Sequence, residues 1–237
     1  VTDNGTRSWY VNMVGTKGTA ENQQPWTDLG GYPFNNTVVG NLKDDNNATT
    51  STGFVLVQNW TEGWNGGMVT GNNSGVFSDN VIKSSIYEGS TSTKQFQFTG
   101  LNAAKRYNVA ILSSNNSGFS AEATWASGTQ SKVFNAAHNS NKLVQLNGLT
   151  PDGTGTITVN MTKSSAATYA FLNAVVLEEY DASTTPVRPL RLFSETESRR
   201  VKLVWSDRSY NETGFEIWRS VAGGSYSLLA TVGANVE

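Results

Sequence analysis

The chain has 237 residues, of which 37% are hydrophobic and 15% charged, with a formal net charge of −2. That is apolar material for one large core or two ordinary ones, and it excludes both a disordered chain and a basic nucleic-acid-binding surface. Cysteine is absent, so there are no disulfides, no thiolate metal site and no Cys nucleophile.

No run of about 18 apolar residues could cross a membrane as a helix. Residues 1–3 (Val-Thr-Asp) do not open a signal peptide, so any export signal is expected upstream or removed.

Residues 8–14 have strand composition and are followed by a long polar stretch to Gly53, broken by Pro25, Pro33 and paired glycines. Residues 54–60 read as the next strand. After them, Trp64 sits between Gly63 and Gly66-Gly67, which places it on a loop. Residues 78–85 allow one helical turn capped by Ser78 or Asp79. Residues 94–99 alternate, with Phe96 and Phe98 on one face and glutamines on the other, as a half-buried strand does.

Further strands are predicted at 107–113, 121–127, 130–135, 143–149, 156–162 and 169–178, separated by turn signals such as Asn115-Asn116-Ser117-Gly118 and Pro151-Asp152-Gly153. The last of them is an almost unbroken apolar run, suited to burial on both faces. The fold class expected is all-β, a two-sheet antiparallel jelly-roll sandwich over residues 1–180.

Residues 181–188 read as a linker, small and polar and stiffened by Pro186. Charge usage changes across it: 10 Lys+Arg face 12 Asp+Glu before residue 181, and 7 face 7 after it. Arginine is concentrated in the second part.

Three pieces together, Gly100-Leu101 with Tyr107-Asn108-Val109, Pro151-Asp152-Gly153 before Thr156-Ile157-Thr158-Val159, and Phe171-Leu172-Asn173-Ala174-Val175-Val176-Leu177, resemble galactose-binding-like jelly-roll modules. Such modules occur in large exported proteins of Bacteroidota. The resemblance implies carbohydrate binding or a passive spacer role, often beside a structural calcium ion.

Residues 200–232, with Trp205, Asn211-Glu212-Thr213-Gly214-Phe215-Glu216-Ile217-Trp218 and Gly223-Gly224, are similar to the first half of a bacterial fibronectin type III domain. A whole sandwich of that kind needs roughly 100 residues. Only 49 run from Pro189 to Glu237, so the chain is expected to be part of a longer protein. Trp205 then needs a cover, from residues 1–180, a second chain or further polypeptide.

For catalysis the sequence offers little. His138 is the only histidine and sits in an apparent turn, and no nucleophile elbow or phosphate-binding loop is present. A carboxylate pair at glycosidase separation could be drawn from Asp44, Asp45, Glu62, Asp79, Glu122, Glu178 and Glu179, but nothing in the sequence brings two of them together. The chain is expected not to be an enzyme.

Asp44-Asp45-Asn46-Asn47 offers hard oxygens that suit calcium. It reads as a solvated turn, as part of a calcium site with Glu178 or Glu179, or as a sugar-contacting loop. For sugar binding, an exposed aromatic platform with polar neighbours is required. The candidates are Trp64, Trp60 and Trp26 with Asn65 and Glu62, and Trp64 is the first choice.

The role expected is a non-catalytic, secreted or cell-surface region of a bacterial adhesin-like protein that binds glycans or spaces other modules. The alternative is a set of accessory modules of a secreted polysaccharide-degrading enzyme. Partners expected are a glycan or cell-surface ligand and further domains or a second chain, with no nucleic acid.

Overall fold

The computed structural model describes residues 5–31, 37–182, 185–198, 200–234 and 236. Residues 1–4 of the expected first domain, Pro33 of the long polar stretch, and Ser183 and Thr184 of the expected linker lie outside them. The chain divides into two compact units, one spanning Gly5–Ala182 and one built on Ser183–Glu237.

The larger unit runs β1 (Gly5–Gly15), β2 (Trp26–Gly30), β3 (Thr37–Val39), β4 (Gly53–Leu56), β5 (Glu62–Trp64), α1 (Asp79–Lys83), β6 (Ser85–Glu88), β7 (Lys94–Thr99), β8 (Lys105–Leu112), β9 (Glu122–Ser127), β10 (Gln130–Asn135), β11 (Val144–Leu149), β12 (Ile157–Lys163), β13 (Ala170–Leu172) and β14 (Ala174–Asp181). It is an all-β sandwich. One sheet has the order β11-β8-β14-β1-β2, the other β10-β9-β12-β7-β4-β3, and a small third sheet has β13-β6-β5. Pairing is antiparallel except where β2 joins β1 in parallel.

Side chains alternate along each strand, so every strand sends one set inward. Trp9, Val11, Val109, Ile111, Val175 and Leu177 from the first sheet meet Phe54, Phe96, Phe98, Trp125, Val159 and Met161 from the second in one core. Phe54 lies 5.3–5.5 Å from Phe96 and Phe98, ring centre to ring centre. Each such pair contributes about 0.5–1.5 kcal/mol beyond the area it buries.

The outward residues at the end of β8 and the start of β14 are apolar as well, because α1 and its approach cover them. Val81 and Ile82 pack on Ala110, Leu112, Ala174 and Val176, with Met68 and Phe77 at the margin. That second layer explains the unbroken apolar run before the linker.

One expected strand is corrected. The strand predicted at 169–178 is two strands in different sheets, and Asn173 is the switch between them. Fully buried, its side chain accepts from the Ser114 N–H (2.7 Å) and donates to the Ile82 carbonyl (2.7 Å). Its backbone bonds to Leu112 and Met13. A polar residue inside the apolar run marks the point where the chain leaves one sheet.

The long polar stretch before Gly53 holds regular structure of its own. It contains β2 and β3, and the Asp28 carboxylate gathers the Asn12 amide and the backbone N–H groups of Glu21 and Asn22.

Ser78 does occupy the cap position of α1, but its side chain makes no cap bond. The hydroxyl donates to Glu21 instead. Asp79 points away from the helix, accepting from Thr70 N–H and hydroxyl, Gly71 N–H and Asn72 N–H at 2.8–3.2 Å. Burial pushes its carboxyl up, and these bonds outweigh it, so the pKa is held below the ordinary carboxylate value.

The smaller unit consists of two hairpins, β15 (Leu190–Glu197) with β16 (Arg200–Ser206), and β17 (Gly214–Arg219) with β18 (Ser227–Gly233). A groove of about 490 Å³ lies among Pro189, Leu192, Leu203, Trp205, Phe215, Ile217 and Trp218. Trp205 is half-buried and meets Phe215 edge-on, 5.4 Å between ring centres.

Candidate binding cleft

The site is built on the small sheet β13-β6-β5. Its register places Phe171 opposite Tyr87 and Tyr87 opposite Glu62, with Trp64 opposite Ser85. By the two-residue period, Phe171, Tyr87, Glu62 and Trp64 share one face, and Ile86, Ala170 and Leu172 share the other. The second face feeds the main core; the first forms the floor of a cleft.

That cleft is lined by Trp64, Tyr87, Phe119, Tyr169 and Phe171 and encloses about 170 Å³. Tyr87 and Tyr169 meet edge-to-face at 5.0 Å, and Phe119 meets Tyr169 the same way at 5.8 Å. Phe171 lies 6.2 Å from Tyr169, again steeply inclined. Edge-to-face contact is the favourable packing for rings with a negative face and positive rim, and it sets Tyr169 steeply against its neighbours, while Phe119 and Phe171 lie nearly parallel, 23° apart.

The backbone fixes these walls. Gly15 and Gly63 lie back to back, and a Cβ on Gly15 would sit 2.7 Å from the Gly63 Cα. Only glycine lets the end of β1 approach β5 that closely. One turn on, a Cβ on Gly66 would lie 2.2 Å from the Trp64 indole nitrogen, so the indole rests on bare backbone.

The loops are tied to each other. The Asn116 N–H donates to the Gly66 carbonyl (2.8 Å), Gly67 N–H to the Lys83 carbonyl (3.0 Å), and Thr168 N–H to the Ser120 carbonyl (3.0 Å). A cleft held this way exists before any ligand arrives, which lowers the ordering cost of binding.

Around it the charges are paired. Lys17 Nζ lies 2.8 Å from Glu62, and Lys94 Nζ 3.1 Å from Glu88. Burial first, then the carboxylate of Glu62, pushes the Tyr87 phenol up, so Tyr87 stays a neutral hydroxyl across the physiological range.

Of the residues expected from the sequence, Trp64 is in the cleft, with 40% of its surface exposed. It stands on a strand edge instead of a loop, and the glycines beside it serve close packing. Glu62 shares its face, and the exposed Asn65 follows it.

Trp60 is not part of this surface. At 3% exposure it packs in the main core and does not line the cleft. Trp26 is half-buried and edge-packed between Tyr10 and Phe77, 5.3 and 5.1 Å away, on the layer containing α1.

Tyr87, Phe119, Tyr169 and Phe171 were not singled out from the sequence. The signal available was Phe119, a lone aromatic in a turn of small polar residues, where no strand gives it a core.

The Asp44-Asp45 pair does not fit a calcium site. Asp44 is 4% exposed, and one carboxylate oxygen accepts the Asn46 and Ala48 N–H groups, both at 3.0 Å. Asp45 accepts the Ser8 N–H at 3.1 Å. Glu178 and Glu179 are engaged by the Tyr180 and Tyr107 hydroxyls. Calcium takes six to eight oxygens, and among the described residues no three of His, Asp and Glu gather to hold a metal ion. The pair braces its own turn against β1.

His138 is exposed at positive φ, its N–H on the Asn115 carbonyl.

Comparison with protein-family models, with curated proteins and with solved structures found no match to this chain.

Proposed function

We propose that the chain is a non-catalytic, extracellular binding region of a large bacterial surface protein, in which the larger unit holds a glycan through its aromatic cleft. The observation that carries this reading is the cleft itself: five aromatic side chains around a small sheet, with Trp64 40% exposed and resting on the Gly66 backbone. Aromatic walls of this kind take an apolar part of a sugar, and polar neighbours at the rim satisfy its hydroxyls.

The strand order supports the jelly-roll resemblance. From β7 onward, β8, β11 and β14 lie in one sheet and β7, β9, β10 and β12 in the other. Strands so shared between sheets are what two nested Greek keys produce.

For the smaller unit, the reading is the opening hairpins of a fibronectin-type sandwich. Its groove and the exposed Trp218, Leu228 and Leu229 favour a partner that adds β-structure, from the same polypeptide or a second chain.

The test is a glycan array probed with the full chain and with Trp64→Ala. Loss of bound glycans in the variant, by at least about tenfold in affinity (~1.4 kcal/mol), is expected. Binding that survives the substitution unchanged would show that the cleft is not the site.

A further inference from the structure

The lining of the cleft says more about its occupant than that it is a sugar. Its five side chains contribute no carboxylate, amide or amine, and only the phenol hydroxyls of Tyr87 and Tyr169 and the Trp64 indole N–H are polar. A sugar hydroxyl that enters such a space loses its water without a full set of new partners, which costs about 1–3 kcal/mol by protein mutational measures.

Size points the same way. A closed apolar cavity of about 150 Å³ holds one benzene, so the 170 Å³ between these rings encloses a small apolar group, while a whole hexose with its hydroxyls would protrude through the open mouth. Tyr169 stands at 69–74° to Tyr87, Phe119 and Phe171, while Phe119 and Phe171 lie nearly parallel at 23°; Tyr169 thus walls off the space, where a stacked pyranose wants one broad, open face.

Charge is balanced as well. Glu62, the carboxylate on the same sheet face, is held by Lys17 at 2.8 Å, and Glu88 by Lys94 at 3.1 Å. A box meant for a cation would keep such a carboxylate unpaired. The occupant that fits is neutral, apolar and small, while the exposed Asn65, Ser120 and Thr168, chain neighbours of Trp64, Phe119 and Tyr169, supply polar groups outside.

We propose that the cleft selects saccharides bearing a methyl-terminated substituent, the C-methyl of a 6-deoxy sugar or the methyl of an N-acetyl group, and that this substituent enters the box while the ring stays at its mouth. The inference rests on the glycan-binding reading above.

It is tested by calorimetric titration of the full chain with matched pairs: L-fucose against L-galactose, and N-acetylglucosamine against glucose. In at least one pair the methyl-bearing member should bind about tenfold tighter, from a buried methyl and an avoided buried hydroxyl. The pair that discriminates identifies which substituent is read. Phe119→Ala, in a surface loop, should erase the discrimination while the circular dichroism of the sandwich is kept.

Equal affinity within both pairs overturns the inference and leaves the glycan reading standing. If no saccharide binds in titration or on the array, both fail. If choline chloride binds where the sugars do not, the box is a cation site and both are likewise overturned.

Discussion

The two units use the same alternating β pattern and reach different degrees of burial. In Gly5–Ala182, Trp9 and Trp125 are fully buried because two sheets face each other across one core. In the smaller unit, Trp205 alternates with Leu203 and Val201 just as regularly, yet Trp205 is half-buried and Trp218 is 51% exposed. Pattern sets which side chains share a face; burial depends on whether a second layer stands opposite. Two hairpins, each of two strands, do not supply one.

The sharpest way to break this comparison is to truncate a tryptophan in each unit. Trp125→Ala should cost about 3–5 kcal/mol in urea unfolding, because it leaves a cavity in a closed core. Trp205→Ala should cost about 1 kcal/mol, a fraction of the full burial value. Equal losses at the two sites would mean that the smaller unit has a closed core after all.

A polar substitution comes next in size. Asn173→Ala would strand the buried Ser114 N–H and the Ile82 carbonyl, and a loss of about 2–4 kcal/mol is expected from two unsatisfied groups. Hydrogen exchange should rise at Ser114, at the end of β8. If stability is unchanged, Asn173 is not what pins the change of sheet.

The smallest effect concerns pH. The folded-state pKa of Asp79 is depressed, so its bonds to the 70–72 loop stabilise the fold fully above the unfolded value of about 3.9. That contribution fades as pH falls through the lower folded value. Solvent screening at this exposed site keeps it below about 1 kcal/mol. Asp79→Asn should flatten the acid limb of the melting curve slightly; an unaltered limb would show that the loop does not depend on the charge.

How legible all this was in the sequence differs by residue. Period-two alternation located β7, β9 and β12, since Phe96, Phe98, Trp125, Val159 and Met161 each need one buried face. It could not locate β5: Glu-Gly-Trp is too short to carry a period, and its pairing with β6 follows from the close approach of Gly63 to Gly15 across 48 residues of chain.

The cleft was half visible for the same reason. Trp64 stood out by its glycine surroundings, while Tyr87 and Phe171 sit in strands, and Tyr169 just before one, and read as ordinary core until the register puts Tyr87 and Phe171 on the face opposite the main core. Asp44 and Asp45 show the reverse case. Clustered carboxylates look like ligands in a sequence, and the backbone N–H groups that occupy them are invisible there.

The switch at Asn173 has a mechanical consequence. Phe171, on the cleft floor, and Asp181, at the end of β14, belong to one short run of chain. Tension applied past Asp181 therefore travels along β14 toward the cleft without crossing a loop. Because β14 is zipped on both sides, to β1 and to β8, that tension loads two ladders of hydrogen bonds in shear, all together and not one by one. A pull on Asp181 is thus shared between both neighbouring strands before it reaches Asn173 and the cleft floor.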